Sequence, residues 1–118
     1  MFEKLSGRLF ELDENIRYVA VNQRGKIVEM EQHPKWPSHN PVETDRMEEL
    51  IVNPAILELA RRRGDIDIDG LRYVIIRYGP LYILSFPFKD GHISVGLQLN
   101  ADPIDVAHKV AKDLNLPV

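Results

Sequence analysis

Apolar residues recur along this chain at two periods, and the switches between them mark its elements. Phe2, Leu5, Leu9 and Leu12 are spaced three, four and three apart, so they form one stripe on a helix. That helix is expected to end near residues 13–15. A first strand follows over residues 16–21 and a second over 26–31. Between them lies NQRG, where Gly25 can supply the positive φ of a short hairpin turn with a bulge. His33-Pro34 stops the second strand, because proline cannot donate to a ladder.

A long helical region is expected over residues 44–63. Thr44 can cap it, and Asp45, Glu48 and Glu49 suit the positive end of its dipole. Met47, Leu50 and Ile51 set a helical face, and Ile56, Leu57, Leu59 and Ala60 continue it. Pro54 either kinks this helix or, with Asn53 as cap, begins a second one. Arg61, Arg62 and Arg63 would meet the negative end of the dipole, with an acidic partner as the other reading, and Gly64 would stop the helix.

Period-two segments return in LRYVIIRY (71–78), LYILSFPF (81–88) and HISVGLQL (92–99). Asp90-Gly91 predicts a two-residue hairpin loop. With that loop, Phe88 faces Ile93, Phe86 faces Val95, Leu84 faces Leu97 and Tyr82 faces Leu99, all on one side of the sheet. Ile83, Ser85, Pro87, Ser94, Gly96 and Gln98 take the other side. A loop at Gly79-Pro80 adds Tyr73 and Ile75 to the first face and Val74, Ile76 and Tyr78 to the second. The second face is apolar on the third and fourth strands and small or polar on the fifth, so the sheet needs cover on both sides. Asp102-Pro103 opens a last helix with Ala107, Val110, Ala111 and Leu114 on its stripe.

The element order is α-ββ-α-βββ-α. It predicts an α/β (α+β) three-layer sandwich with a five-stranded antiparallel sheet in the order 2-1-5-4-3. The terminal helices would cover one face and the middle helix the other. The third strand is then an edge, eight residues long and β-branched, with only Arg72 and Arg77 to blunt it. Such an edge invites pairing with a second copy.

This pattern resembles the roadblock/dynein light chain family, whose fold is profilin-like. IRYVAVNQRGKIV is similar to that family's first hairpin, LRYVIIRYGPLYILSFPFKDGHISVGLQL to its three-strand meander, and DPIDVAHKVAKDL to its closing helix. The likeness spans nearly the whole chain as a single roadblock-like domain over residues 1–118. Within the family it points to a divergent archaeal branch of unassigned function. Asn53-Pro54 inside the middle helix and the proline-rich stretch before it depart from the family pattern. The resemblance implies a non-catalytic scaffold that dimerises through the middle helix and third strand and regulates small GTPases. The implied partners are a second copy of the chain and a small GTPase. On this chain the dimer interface would comprise Met47, Ile51, Arg72, Val74, Ile76 and Tyr78. The same strand order also serves PAS-like sensors, which bind a small molecule inside, and that reading stays open.

Composition narrows the chemistry. The 118 residues carry a net charge of −3 and no cysteine, which excludes disulfides, thiolate metal sites and cysteine nucleophiles. Basic residues are dispersed, so nucleic acid is not expected as a partner. No apolar run approaches a membrane span, and the acidic N-terminal stretch is not a signal peptide. A cytoplasmic setting is expected. There is no GxSxG, P-loop, GxGxxG or HExxH pattern. Glu29 and Glu31 share one side of the second strand, where carboxylates are usually solvated. His33 and His39 lie on a loop, and only a fortuitous fold would add Glu31, Glu43, Asp45 or His92 to make a metal site. His92 and His108 read as surface or half-buried residues. No catalytic residue, cofactor or metal is therefore assigned.

HPKWPSHNP, residues 33–41, holds three of the eight prolines, the single tryptophan and two of the four histidines. It reads as a stiff strap from the second strand to the middle helix, since proline lowers the entropy lost on ordering. Trp36 packs over the sheet or helix, or serves as a partner contact.

Overall fold

The computed structural model describes residues 4–35 and 42–118. The expectations for Phe2, and for Trp36, Pro37, His39 and Pro41 in the strap, fall outside these residues. The chain order is α1 (Leu5–Phe10), β1 (Ile16–Gln23), β2 (Lys26–Gln32), α2 (Val42–Met47), a π-helical turn (Glu48–Val52), α3 (Asn53–Asp67), β3 (Val74–Arg77), β4 (Tyr82–Phe88), β5 (Gly91–Leu97) and α4 (Pro103–Asp113). The five strands form one antiparallel sheet in the expected order β2-β1-β5-β4-β3.

The alternation of the strands sorts the core. Val19, Val21, Leu84, Phe86, Ile93, Val95 and Leu97 point to one face, where they bury Leu9 of α1 and Val106, Ala107 and Val110 of α4. Each such side chain contributes roughly 1.5–3 kcal/mol by leaving water. Asp102 caps α4 through hydrogen bonds from the Ile104 and Asp105 backbones, with Pro103 at the first turn. Tyr18, Ala20 and Ile83 form a smaller cluster on the other face, joined by Met30, Ile76 and Leu81. There the segment from α2 through α3 lies across the sheet.

Local details differ from the sequence expectation, each for a physical reason. The β4–β5 turn is Lys89-Asp90, so Phe86 pairs with Ile93, Leu84 with Val95 and Tyr82 with Leu97. That register is two residues from the one Asp90-Gly91 predicts. A shift of two preserves the faces, so Tyr82, Leu84, Phe86, Phe88, Ile93, Val95 and Leu97 still reach the core, whereas Leu99, expected opposite Tyr82, falls past the end of β5 and is exposed. Gly91 is needed at the start of β5 instead, because a Cβ there would lie 1.8 Å from the Asn22 carbonyl oxygen of β1. Lys89 takes the positive φ of the turn, at 51°. The first hairpin turns at Arg24-Gly25, both with positive φ, and its ladder shifts register beyond Val21.

β3 has four residues, not eight. Its register with β4 puts Arg72 opposite Pro87. Tyr78 donates to Leu81 across the turn, so alternate residues of β4 turn their backbone toward β3, and Pro87 is one of these. Pro87 has no N–H, so the ladder ends before it.

The middle helical region is one continuous path rather than two helices. Its residues from Met47 to Asn53 stay right-handed, and Asn53 N–H donates to the Glu48 carbonyl, five residues back. The wider turn accommodates the ring and missing donor of Pro54. Gly64 does not stop the helix. α3 continues to Asp67, and Asp69 and Gly70, both with positive φ, turn the chain out. The Gly70 and Ile68 backbones donate to the Gly64 carbonyl. A Cβ on Gly64 would lie 3.0 Å from the Gly70 carbonyl carbon, so this glycine serves a close approach.

Gly91→Ala is expected to destabilise the chain by about 3 kcal/mol, since only backbone surrounds the added methyl. Gly79→Ala, which meets nothing within 4 Å, is expected to change stability by under about 0.5 kcal/mol. Urea denaturation of both variants checks the contrast; equal midpoints would contradict the close-approach role.

Candidate functional site

The face of the sheet under the middle helix carries polar residues because β5 alternates Ile93, Val95 and Leu97 with His92, Ser94 and Gly96. Gly96 leaves room for Tyr18, whose Cβ would lie 3.0 Å from a Cβ placed there. Into this layer the π-helical turn inserts Glu49, which has no exposed surface. Its Oε1 accepts from Ser94 Oγ at 2.6 Å, His92 Nε2 at 2.8 Å and Asn53 Nδ2 at 3.2 Å. Its Oε2 accepts from Tyr18 OH at 2.8 Å. Ser94 Oγ also accepts from Asn53 Nδ2 at 2.9 Å. Because the Ser94 proton is committed to Glu49, Ser85 Oγ must donate in the 3.3 Å contact between the two serines. The same accounting puts a proton on His92 Nε2.

Proline explains one further bond. The Asn53 N–H is taken by Glu48, and Pro54 has none to offer, so the Glu49 carbonyl needs another donor. Asn22 Nδ2 supplies it at 3.0 Å, while Asn22 Oδ1 accepts from Gly25 N at 3.2 Å. One buried side chain thus joins the first hairpin turn to the π-helical turn.

Burial by itself would raise the Glu49 pKa. Hydrogen bonds from His92, Ser94 and Tyr18, with the nearby imidazole, outweigh it and hold the carboxyl below the ordinary value. Burial and the same carboxylate push the Tyr18 phenol far up. Glu48, next along the turn, moves the other way. Burial and the neighbouring Glu49 and Asp45 raise its pKa against the opposing hydrogen bond from Tyr78. Tyr78 OH reaches Glu48 Oε1 at 2.9 Å, and burial with this bond pushes its pKa up to about 12.

Sequence reasoning placed Glu49 at the positive end of the helix dipole and His92 among surface or half-buried residues. Both are buried. The signal was present: small and polar residues alternate along β5, and Glu49 and Asn53 stand four apart on a helix that must cover them.

The helix is therefore inverted. Glu49, Asn53, Leu57 and Gly64 face inward, while Met47, Leu50, Ile51, Leu59 and Ile66 are exposed, Leu59 and Ile66 by 71% and 75%. Of the six expected interface residues, Met47, Ile51 and Tyr78 are exposed, and Arg72, Val74 and Ile76 are half-buried. Met47 and Tyr78 come together on a groove of about 330 Å³ with Tyr18, Asp45, Glu48 and Leu81. Ile51 lies on the helix outside that groove. Arg72 is held by Asp69, at 2.6 Å to its carbonyl and 2.9 Å to its carboxylate. A second groove of about 330 Å³, lined by Asn22, Pro54, Arg61, Lys89 and His92 among others, opens at the hairpin ends.

Other candidates have local roles. Glu29 accepts from the Leu5 and Ser6 backbones, capping α1, whose preceding Lys4 offers no side-chain cap. Glu31 pairs with Lys4 at 2.6 Å. These carboxylates are thus tied to α1. The arginine triplet meets nearby carboxylates rather than the helix end. Arg61 pairs with Glu58 and Asp65, Arg62 with Glu58, and Arg63 with Asp67. Such exposed pairs are individually weak. His33 packs edge-on against Phe10 and accepts from Lys35 N. Among the described residues no group of three or more His, Asp or Glu is placed to hold a metal, and no helix is long and apolar enough to cross a membrane.

No family model matches the sequence, and no curated protein does. Solved structures match the fold. The Roadblock/LC7 domain from Streptomyces avermitilis aligns with a TM-score of 0.69 at 13% identity, over 92% of this chain and 88% of that one. A structure of MglB with tetrameric arrangement aligns at 0.59 and 9% identity, over 98% of this chain and 93% of that one. The gliding protein MglB from Thermus thermophilus aligns at 0.58 and 12%, over 98% and 94%. The chain has the roadblock fold.

Glu49→Gln is expected to cost about 3 kcal/mol, because an amide turns a donor toward groups that already donate. The carboxyl of Glu49 is depressed in the folded chain. Its contribution is therefore fully present above the ordinary value of 4.5 and lost as pH falls through the lower folded value. Urea midpoints between pH 7 and pH 3 should fall more steeply for the native chain than for Glu49→Gln. Parallel slopes would rule out this linkage.

Proposed function

We propose that this chain is a non-catalytic, cytoplasmic interaction module that forms a homodimer through the middle helix and β3 and serves as a scaffold for a small GTPase. The observation that carries the dimer reading is the inverted helix beside an open edge. Exposed Met47, Leu50, Ile51, Leu59 and Ile66 face away from the sheet, and an apolar face of this kind is stable in water when a partner covers it. Among the described residues no strand lies on the outer side of β3, and a second copy can supply one. An isologous pair buries both features at once.

The GTPase part rests on the resemblance to the roadblock family and on the shared fold. One of the similar structures is described as an MglB with tetrameric arrangement, so self-association occurs on this fold. The sensor reading needs a cavity between the middle helix and the sheet. Tyr18, Glu49, Asn53, Ser85, His92 and Ser94 take up the centre of that layer with mutual hydrogen bonds, and the two spaces between helix and sheet are open grooves rather than an enclosed cavity, which favours the interaction module.

Light scattering on a sizing column is expected to give twice the 13.6 kDa of one chain. Met47→Glu with Ile51→Glu should convert it to a monomer that unfolds at nearly the native urea midpoint. A strict monomer at high concentration overturns the dimer. Affinity capture that repeatedly recovers no nucleotide-binding protein overturns the GTPase part.

A further inference from the structure

Two-fold symmetry and the hydrogen-bond phase of β3 together restrict how two copies can join, on the reading that they do so through this edge. Tyr78 donates to Leu81, so Val74, Ile76 and Tyr78 turn their backbone groups toward β4. Tyr73, Ile75 and Arg77 turn theirs outward. In an antiparallel isologous pair, facing side chains share a side of the sheet, so the axis must pass beside a residue that faces its own copy. An axis beside Ile75 lets Ile75 pair with itself and Tyr73 with the partner subunit's Arg77. An axis beside Ile76 pairs Ile75 with the partner subunit's Arg77, and its next pair runs into the Gly79-Pro80 turn. An axis beside Val74 would carry Arg77 out to the partner subunit's Leu71, beyond the strand, so the first register is the one that pairs every outward backbone group of residues 73–77 within that segment.

That register has a consequence on the helix side. Tyr73 packs against Phe86 in the first core, with ring centroids 5.7 Å apart, so Arg72 faces the other way, with Val74, Ile76 and Tyr78. Continued past the ends of β3, this register brings Arg72 beside the partner subunit's Tyr78, within reach of a facing pair at about 5 Å between Cβ atoms. Tyr78 OH is already on Glu48 at 2.9 Å, so the guanidinium arrives at that carboxylate. We infer that Arg72 of each copy pairs with Glu48 of the other across β3, and that these two symmetric ion pairs set the register of self-association.

The charges fit this assignment. Glu48 is half-buried among carboxylates, with Glu49 and Asp45 raising its pKa, and an incoming cation relieves that. Arg72's own partner, Asp69, is 93% exposed, and a pair so wetted is easily exchanged. A guanidinium suits the site because it can meet a carboxylate and lie over a tyrosine ring together.

The test measures the dimer dissociation constant by sedimentation or fluorescence dilution, with urea midpoints as a folding control. Arg72→Glu and Glu48→Arg should each weaken the dimer at least about tenfold, as close interfacial charge pairs do. The chain carrying both substitutions should return to within about threefold of native. If Glu48→Arg fails to fold, the milder Arg72→Gln and Glu48→Gln cycle replaces it, and non-additive losses are expected. A native dimer whose single variants lose nothing, or whose double variant loses the sum, overturns the ion pair while leaving the dimer in place. A native monomer overturns both.

Discussion

A carboxylate with no exposed surface stays ionised only if the protein replaces its water, and Glu49 is served by four donors. They come from β1, β5 and the helix itself, so a single charge ties three elements together. Removing water from such a group is expensive. The fold must therefore supply the donors for this carboxylate, and the sequence of β5 is arranged for it. His92 and Ser94 donate, Gly96 clears the path for Tyr18, and Ser85 supports Ser94. The first hairpin joins through Asn22, which reaches the Glu49 carbonyl that Pro54 leaves without a helical donor.

Spending the inner face of a helix on polar groups decides what lies on its outer face. A helix normally buries its apolar stripe on its own sheet. Here Glu49 and Asn53 occupy that position, and Met47, Leu50, Ile51, Leu59 and Ile66 remain in water. The other face of the sheet supplies the conventional core, under α1 and α4. One face thus provides most of the apolar burial, and the other provides orientation.

Pro87 acts in the same direction. By ending the β3–β4 ladder it shortens the edge strand to Val74–Arg77 and leaves Arg72 just beyond the ladder, near the turn-out at Asp69 and Gly70. A short edge offers little template for indiscriminate strand pairing. In the proposed homodimer it would leave a two-fold mate few registers, among which charge could choose.

Periodicity determined the element order and sorted the strand residues between the two faces of the sheet, and the hairpins and the long crossover between them gave the strand order. Alternation and helical spacing are properties of neighbouring residues, and both survive a two-residue slip in the β4–β5 register. The Asp102-Pro103 cap and the Gly79-Pro80 loop were equally legible, because their chemistry is local. What the chain could not disclose depends on residues far apart in sequence. Gly91 looked like a turn residue until the β1 backbone stood against it. Gly64 looked like a helix stop until Gly70 did the same. The polar members of β5 were visible, but Glu49 and His92 acquire their meaning only from each other, 43 residues apart. Only tertiary structure brings an acid and its donors into one dry layer, and that layer turned an ordinary amphipathic helix inside out.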